Sequence, residues 1–448
     1  MKLLRRKIDA FLEEWKSRTD RMPLIVKGAR QIGKTESIRY FAHRHYKNIV
    51  EINFVLQKHF KTIFDNGFEP DTIIRSISLL DPSLEFTAGE TLIFFDEMQE
   101  CPNCATSLKF FKQDGRYDVI CSGSLMGINY RQIESNSVGY KEDYEMHSMD
   151  FEEFLWAKGN TVTMPAIKEA FEKRKPLGDL IHRKTLQLFR EYIAVGGMPQ
   201  AVLEYVNGNS FSSIDRVKQG ILSLYEDDLK KYDDNEKEKA SLIFKTIPKQ
   251  LSDHNMHFTF SEINANARYV NYVESVEFVA ESMIGNLCAN VTMPDVLMEL
   301  YADRSNFKLY MGDTGLLVSQ MIREGDETED IYRALIYDKL GSNLGMIFEN
   351  VVAQMLKTSG NALYFHEYKY TPKDAENEKK YEIDFLLVKN KKVCPIEVKS
   401  SGYATHKSFD YFKEKYPIKL QERYIIYTKD LKFEDGITYI PAYMAGLL

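Results

Sequence analysis

Eight residues, Gly28-Ala-Arg-Gln-Ile-Gly33-Lys34-Thr35, carry the spacing of a phosphate-binding loop. Glycines in such a loop let the backbone curl until its N–H groups, and the first turn of the next helix, face a negative charge. Lys34 is then expected to reach the β- and γ-phosphates of ATP, and the Thr35 hydroxyl to ligate Mg2+. Gly28, Ala29, Arg30, Gln31, Ile32, Gly33, Lys34, Thr35 and Glu36 together form the candidate nucleotide contact. Further along, Thr91-Leu-Ile-Phe-Phe-Asp96-Glu97 is an apolar run ending in two carboxylates. Asp96 is expected to hold magnesium, directly or through water, and Glu97 to polarise an attacking water. Ser122-Gly123-Ser124 offers Ser122 or Ser124 as a polar sensor between the acidic strand and the γ-phosphate. Serine and glycine also suit a plain turn, so both readings stand.

A second constellation lies far from the first. Asp384, followed by Glu397-x-Lys399, follows the PD-(D/E)xK pattern of restriction-endonuclease-like folds. Strand side chains repeat every second residue, so Glu397 and Lys399 share one sheet face, and Asp384 on a neighbouring hairpin strand joins them. Carboxylates so placed bind magnesium, and the lysine sits beside the metal-bound water. Glu349, set among apolar neighbours on a helix, would be a fourth member. The same residues also suit a structural or regulatory ion-pair cluster.

The elements around these residues follow from local pattern. A buried strand at Pro23–Val26, the glycine loop and a helix through Ile38, Phe41 and Ala42 give the strand–loop–helix order that the loop requires. Strands at Ile49–Phe54, Thr91–Asp96 and Tyr117–Cys121 follow at α/β spacing, and a parallel sheet delivers its strand ends to a ligand crevice. Helical pattern then runs from Phe151 toward Tyr192, broken by Gly196-Gly197-Met-Pro199, and resumes from Phe211 to Lys231. Asp227–Lys239 reads as a solvated charged face. Ser261 caps an expected helix over 261–266, with a second over Val273–Leu287. Ala289–Met293 and Phe307–Met311 then read as the strands of a wing. That second helix carries Glu274, Glu277 and Glu281 without Lys or Arg, which suits packing or protein contact better than a DNA groove. Asp313-Thr-Gly315 lacks the second motif and all-β setting of an aspartic protease. In the last quarter the pattern predicts a helix over Gly345–Leu356, strands at Asn361–Tyr368, Tyr381–Val388 and Cys394–Ser400, and a polar loop over Pro372–Lys380.

Composition narrows the classes. The 448 residues exceed one ordinary core, and 44% hydrophobic with 28% charged residues is globular. A net charge of −7 lacks the basic excess of a dedicated nucleic-acid binder, so DNA contact would need a local patch. The N-terminus places Leu4, Ile8, Leu12 and Trp15 at helical spacing and lacks the apolar core of a signal peptide. No run approaches a membrane span. Five cysteines outline no disulfide framework, and Cys101-Pro-Asn-Cys104 reads as a loop and helix start. A cytoplasmic protein without membrane contact is expected.

Gly28–Thr35, Phe95-Asp-Glu-Met-Gln99, Cys121–Ser124, Tyr192-Ile-Ala-Val-Gly-Gly-Met-Pro199 and Phe307–Leu317 together resemble landmarks of one family along almost the whole chain. It comprises bacterial and archaeal AAA-type ATPases that carry a C-terminal domain of unknown function. The resemblance implies an α/β architecture: a AAA-like P-loop core of the STAND or archaeal-ATPase kind, a winged-helix-like module, and a restriction-endonuclease-like fold. On this chain the division falls at 1–160 for the core, 161–235 for a helical lid or linker, 236–330 for the winged-helix-like module and 331–448 for the nuclease-like domain. Relatives often carry a Gly-Arg pair where this chain has Gly139-Tyr140-Lys141, which leaves Lys141 or Arg131 as a weak substitute for a finger arginine. Two functions follow. ATP hydrolysis drives DNA handling through a magnesium-dependent C-terminal nuclease, or the chain is a nucleotide-dependent switch or scaffold whose nuclease-like domain is silent. ATP and ADP are expected partners in both, with DNA, a protein partner or a second copy of the chain as further candidates.

Overall fold

Strand β3 (Thr91–Asp96) buries all six of its residues, which requires cover on both faces of a parallel sheet. The computed structural model describes residues 4–124, 137, 139–232, 238–252, 256–322, 327–337, 344–372, 376–400, 407–416, 420 and 422–448. These form two compact units: Met1–Ser148 with Glu281–Met283, and Met149–Ala280 with Ile284–Leu448. The first unit ends at Ser148, and the boundaries expected after 160, 235 and 330 all fall inside the second unit.

The first unit begins with α1 (Lys7–Ser17), which turns Ile8, Leu12 and Trp15 inward. Next come β1 (Leu24–Lys27), α2 (Lys34–His45), β2 (Asn48–Asn53), α3 (Pro70–Leu80), β3, α4 (Asn103–Asp114), β4 (Asp118–Gly123) and β5 (Glu142–Glu145). The sheet order is β2-β3-β4-β1-β5 and every pairing is parallel. Because β4 lies between β1 and β3, its C-terminal end stands between the loop after β1 and the carboxylates after β3. Ile52, Ile93 and Phe95 pack with Ile73, Ile77, Leu108 and Phe111 in one core. Cys101 and Cys104 are buried free thiols at the start of α4, pushed up by burial, so the sequence Cys-x-x-Cys is packing here.

The second unit opens with α5 (Phe151–Ala157), α6 (Thr163–Glu172), α7 (Asp179–Val195), α8 (Pro199–Val206), α9 (Phe211–Tyr232), α10 (Lys239–Ser252) and α11 (Val273–Glu281). It continues through β6 (Gly285–Val291), β7 (Ala302–Met311), α12 (Thr314–Met321), α13 (Thr328–Ile336), α14 (Leu344–Thr358), β8 (Tyr364–Tyr370), β9 (Lys379–Lys389), β10 (Lys392–Val398), α15 (Lys407–Lys415), β11 (Arg423–Tyr427), β12 (Lys432–Glu434) and β13 (Ile437–Pro441). One mixed sheet of eight strands runs β12-β13-β11-β10-β9-β8-β6-β7.

This topology corrects the expected wing. β6 and β7 do pair as antiparallel neighbours, but β6 also pairs in parallel with β8, so both belong to the large sheet. Their apolar runs explain it: six of seven β6 residues and the last five of β7 are buried, whereas a wing has a solvated face. The helix expected over 261–266 is only a 3-10 turn at Phe260–Glu262, and the one expected to reach Leu287 stops at Glu281.

Two landmarks meet at one junction. Gly196 packs on Gly315, where a Cβ would sit 2.8 Å from the Gly315 Cα. Asp313 caps α12 by accepting from Leu316 N at 3.1 Å and accepts from Gly197 N at 2.8 Å. The Asp313-Thr-Gly315 triplet is thus helix-capping and packing chemistry. Buried Lys218 donates to the carbonyls of Ala194 (2.8 Å) and Gly315 (3.1 Å), tying the ends of α7 and α12 together. Tyr192 and the α14 residues Asn350 and Gln354 extend the same buried network.

Candidate nucleotide site and C-terminal carboxylate cluster

The glycine loop connects β1 to α2, whose N-terminal cap is Gly33 in the left-handed region at φ 94°. Gln31 shares that region at φ 64°. Gly28 is needed for closeness, since a Cβ there would run into the Met146 carbonyl oxygen and the Ile32 side chain. Gly28, Ala29, Ile32 and Lys34 are buried, Arg30, Gly33 and Thr35 half-buried, and Gln31 and Glu36 exposed. The Lys34 ammonium donates to the carbonyls of Gly28 (2.9 Å) and Ala29 (2.8 Å). Burial lowers its pKa to about 8, against the opposing pull of Glu97 and Asp96.

Asp96 is the hub of the opposite wall. Its carboxylate accepts from the Thr35 hydroxyl at 3.2 Å to each oxygen, from Asn53 Nδ2 at 2.9 Å, and from the Ser122 hydroxyl. Three elements thus converge on one β3 side chain that is only 3% exposed. Ser122, expected as a sensor or a turn residue, lies on β4 and bonds Asp96; Ser124 is buried just beyond it. Glu97 takes a left-handed backbone (φ 56°, ψ 48°) and its side chain accepts from Gln99 Nε2. Such a conformation costs a non-glycine residue about 1–2 kcal/mol, a strain that concentrates at functional sites.

Three supporting residues escaped the sequence reading. Arg6 is buried, and its guanidinium donates to Ile32 O (2.6 Å) inside the glycine loop and to His147 O (2.7 Å). No periodicity singles out such an arginine. Asn53 ends β2 and Ser122 lies one residue before the end of β4, so a polar residue near a strand's C-terminal end was a usable signal. Gln99 holds Glu97 while its own Oε1 is buried without a partner. Lys141 is bonded to Asp143 at 2.7 and 2.9 Å at the sheet edge, and Arg131 lies outside the described residues.

In the second unit, β9 and β10 run antiparallel, and Asp384 and Glu397 lie one step past the Ile396–Phe385 pair. Val398 N donates to Asp384 Oδ2 at 2.7 Å. Glu397 is buried and accepts from the Ser408 hydroxyl, and Lys399 pairs with its other oxygen at 3.6 Å. Burial and neighbouring Glu349 raise the Asp384 pKa to about 8, against Lys308 and Lys399. Lys399 is raised because Glu397 and Asp384 outweigh its burial.

Glu349 has different company. Its Oε1 accepts from Lys308 Nζ (3.0 Å) and Tyr310 OH (2.5 Å), both on β7. Lys308 also donates to Glu382 Oε1 at 2.7 Å, and its pKa is raised because Glu349, Glu382 and Asp384 outweigh burial. Sequence reading missed Lys308, although a lone lysine inside the apolar Phe307–Met311 strand was visible. Among the described residues, the histidine and carboxylate group whose ligand atoms lie within 4.8 Å of one another is His257, Glu367 and Glu382, not Glu349, Asp384 and Glu397.

Residues 20–155 match the AAA domain family. Residues 186–327 and 344–444 match two domains of unknown function, DUF8612 and DUF4143. No curated protein matches the chain. Among solved structures, a Walker-type ATPase of Pyrococcus abyssi is similar at 13% identity, over 71% of this chain and 96% of that one, with a TM-score of 0.44. The ADP form of an Aeropyrum pernix ORC2 protein is similar at 12% identity, over 76% of this chain and 96% of that one, with a TM-score of 0.29. Scores this low carry neither site nor substrate across. The glycine loop, the Asp96 hub and the match over residues 20–155 make the first unit an AAA-type P-loop ATPase domain.

Proposed function

We propose that the first unit binds ATP with Mg2+ and hydrolyses it, and that this cycle controls the second unit. The observation that carries the reading is the convergence on Asp96 of Thr35, Asn53 and Ser122, beside a buried Lys34 bonded only to carbonyls of its own loop. Lys34 gains more from phosphate oxygens than from two neutral carbonyls, because an anionic acceptor adds charge–charge attraction to the hydrogen bond. The Thr35 hydroxyl and Asp96 carboxylate present only oxygen donors, which suits Mg2+, and these two residues would hold it. The ion supplies neutralisation of phosphate charge. Ser122 senses the phosphate from β4, and Glu97 accepts a proton from the attacking water once it exchanges its bond to Gln99 for that water.

A pair of variants tests this. Lys34→Ala abolishes nucleotide binding or turnover in an ATPase assay, whereas Glu97→Gln keeps binding and loses about 10²–10⁴-fold in rate. Normal turnover by Lys34→Ala would overturn the reading.

For the second unit, Asp384, Glu397 and Lys399 support DNA handling with metal-dependent phosphodiester cleavage. The second reading, a silent binding module under nucleotide control, is favoured by Lys308. It already pairs with both Glu349 and Glu382, so a cation recruiting Glu349 must first displace a buried ion pair, and breaking such a pair costs about 3–5 kcal/mol. Cleavage assays on single-stranded, duplex and branched DNA with Mg2+ or Mn2+ decide between them. Cleavage lost in Lys399→Ala supports the nuclease; no cleavage by the parent under any of these conditions sinks it.

A further inference from the structure

We propose that His257, Glu367 and Glu382 form a binding site for one divalent transition-metal ion of the zinc class. His257 Nε2 points between two carboxylates, 2.8 Å from Glu382 Oε2 and 3.3 Å from Glu367 Oε1. One ligand atom from each residue lies within 4.8 Å of the others, a spread that a single ion can draw together. Glu367 and Glu382 are direct partners across β8 and β9. Like charges directly opposite on a sheet are destabilising; Lys308 and Lys380 offset part of that repulsion, and a divalent ion between the carboxylates would offset more.

The surroundings hold the unused oxygens. Asn306 Nδ2 donates to Glu367 Oε2 at 3.0 Å, and Lys308 donates to Glu382 Oε1 at 2.7 Å. Each carboxylate is thereby turned to present its other oxygen to His257, the kind of outer support that orients metal ligands. Lys380 also pairs with Glu367 Oε1, but it is 55% exposed and free to swing into water. All three ligands are half-buried, which leaves a path for the ion. An imidazole with two carboxylates selects Zn2+, Co2+ or Ni2+ over Mg2+, which prefers oxygen alone. The site uses none of Thr35, Asp96, Asp384, Glu397 and Lys399 as a ligand, although Lys308 joins Glu382 to Glu349 beside it.

The test is titration of the full chain, stripped of metal and free of nucleotide, with Zn2+ by calorimetry and with Co2+ by its visible ligand-field absorption. One saturable equivalent per chain is expected, lost in Glu367→Gln and His257→Ala and retained in Lys34→Ala. Asn306→Ala should weaken it about 10–100-fold, and Lys380→Met should tighten it by removing the competitor for Glu367. Far-ultraviolet circular dichroism checks each variant; should His257→Ala misfold, the near-isosteric Glu367→Gln decides. The proposal is overturned if the parent shows no saturable binding, or if binding by folded Glu367→Gln equals that of the parent.

Discussion

Asp384 and Lys308 show how one buried residue can redirect a motif. Asp384 keeps its proton up to about 8 because burial and Glu349 disfavour its charge, whereas an unfolded aspartate titrates near about 3.9. Between these values the native state holds the extra proton, so this contribution to stability is full on the acid side. It is lost as the pH climbs from about 4 to about 8, then levels off. Asp384→Asn, neutral throughout, should flatten that slope and raise the melting temperature more at about pH 9 than at about pH 5. Equal gains at both would remove the assignment. At the nucleotide site the motif residues Lys34, Thr35 and Asp96 were legible from spacing alone. Arg6 was not, because a single buried guanidinium bonded to loop carbonyls leaves no periodic trace.

At the scale of elements, the junction of α7 and α12 depends on glycines that no local pattern explains. A Cβ on Gly197 would run into the backbone of Met149, and backbone cannot rotate out of the way as a flexible side chain can. Gly197→Ala should therefore cost about 1–3 kcal/mol of stability in a denaturant titration. A cost below a few tenths would show that the junction yields. Helix and strand limits in the ATPase core lay close to expectation because strand, loop and helix each carry their own signal. The wing was misplaced because an apolar hairpin reads the same whether it caps a small module or edges a large sheet. Its parallel partner β8 lies far along the chain, beyond the reach of any local window.

At the scale of the whole molecule, the nucleotide reading predicts where stabilisation appears. ATP with Mg2+ at about 100 times its Kd should stabilise the state that binds it by about 2.7 kcal/mol. Hydrogen exchange should slow around residues 28–35 and 91–97 in the parent and not in Lys34→Ala. If the second unit is under nucleotide control, its exchange changes too, and a second unit indifferent to ATP would defeat the switch. Among the described residues no helix is long and apolar enough to cross a membrane.

The phosphate loop, the acidic strand and the alternation of Glu397 with Lys399 were determined by sequence, because each depends on neighbours within a few residues. Tertiary structure decided what those residues face. It put β4 between β1 and β3, so that Ser122 meets Asp96. It also brought Lys308 from β7 to Glu349 and Glu382, so that Glu349, which the sequence reading had offered to a metal, is a partner of a buried ammonium. Spacing along a chain limits which side chains can share a face, whereas only packing between distant segments sets the charge that they meet there.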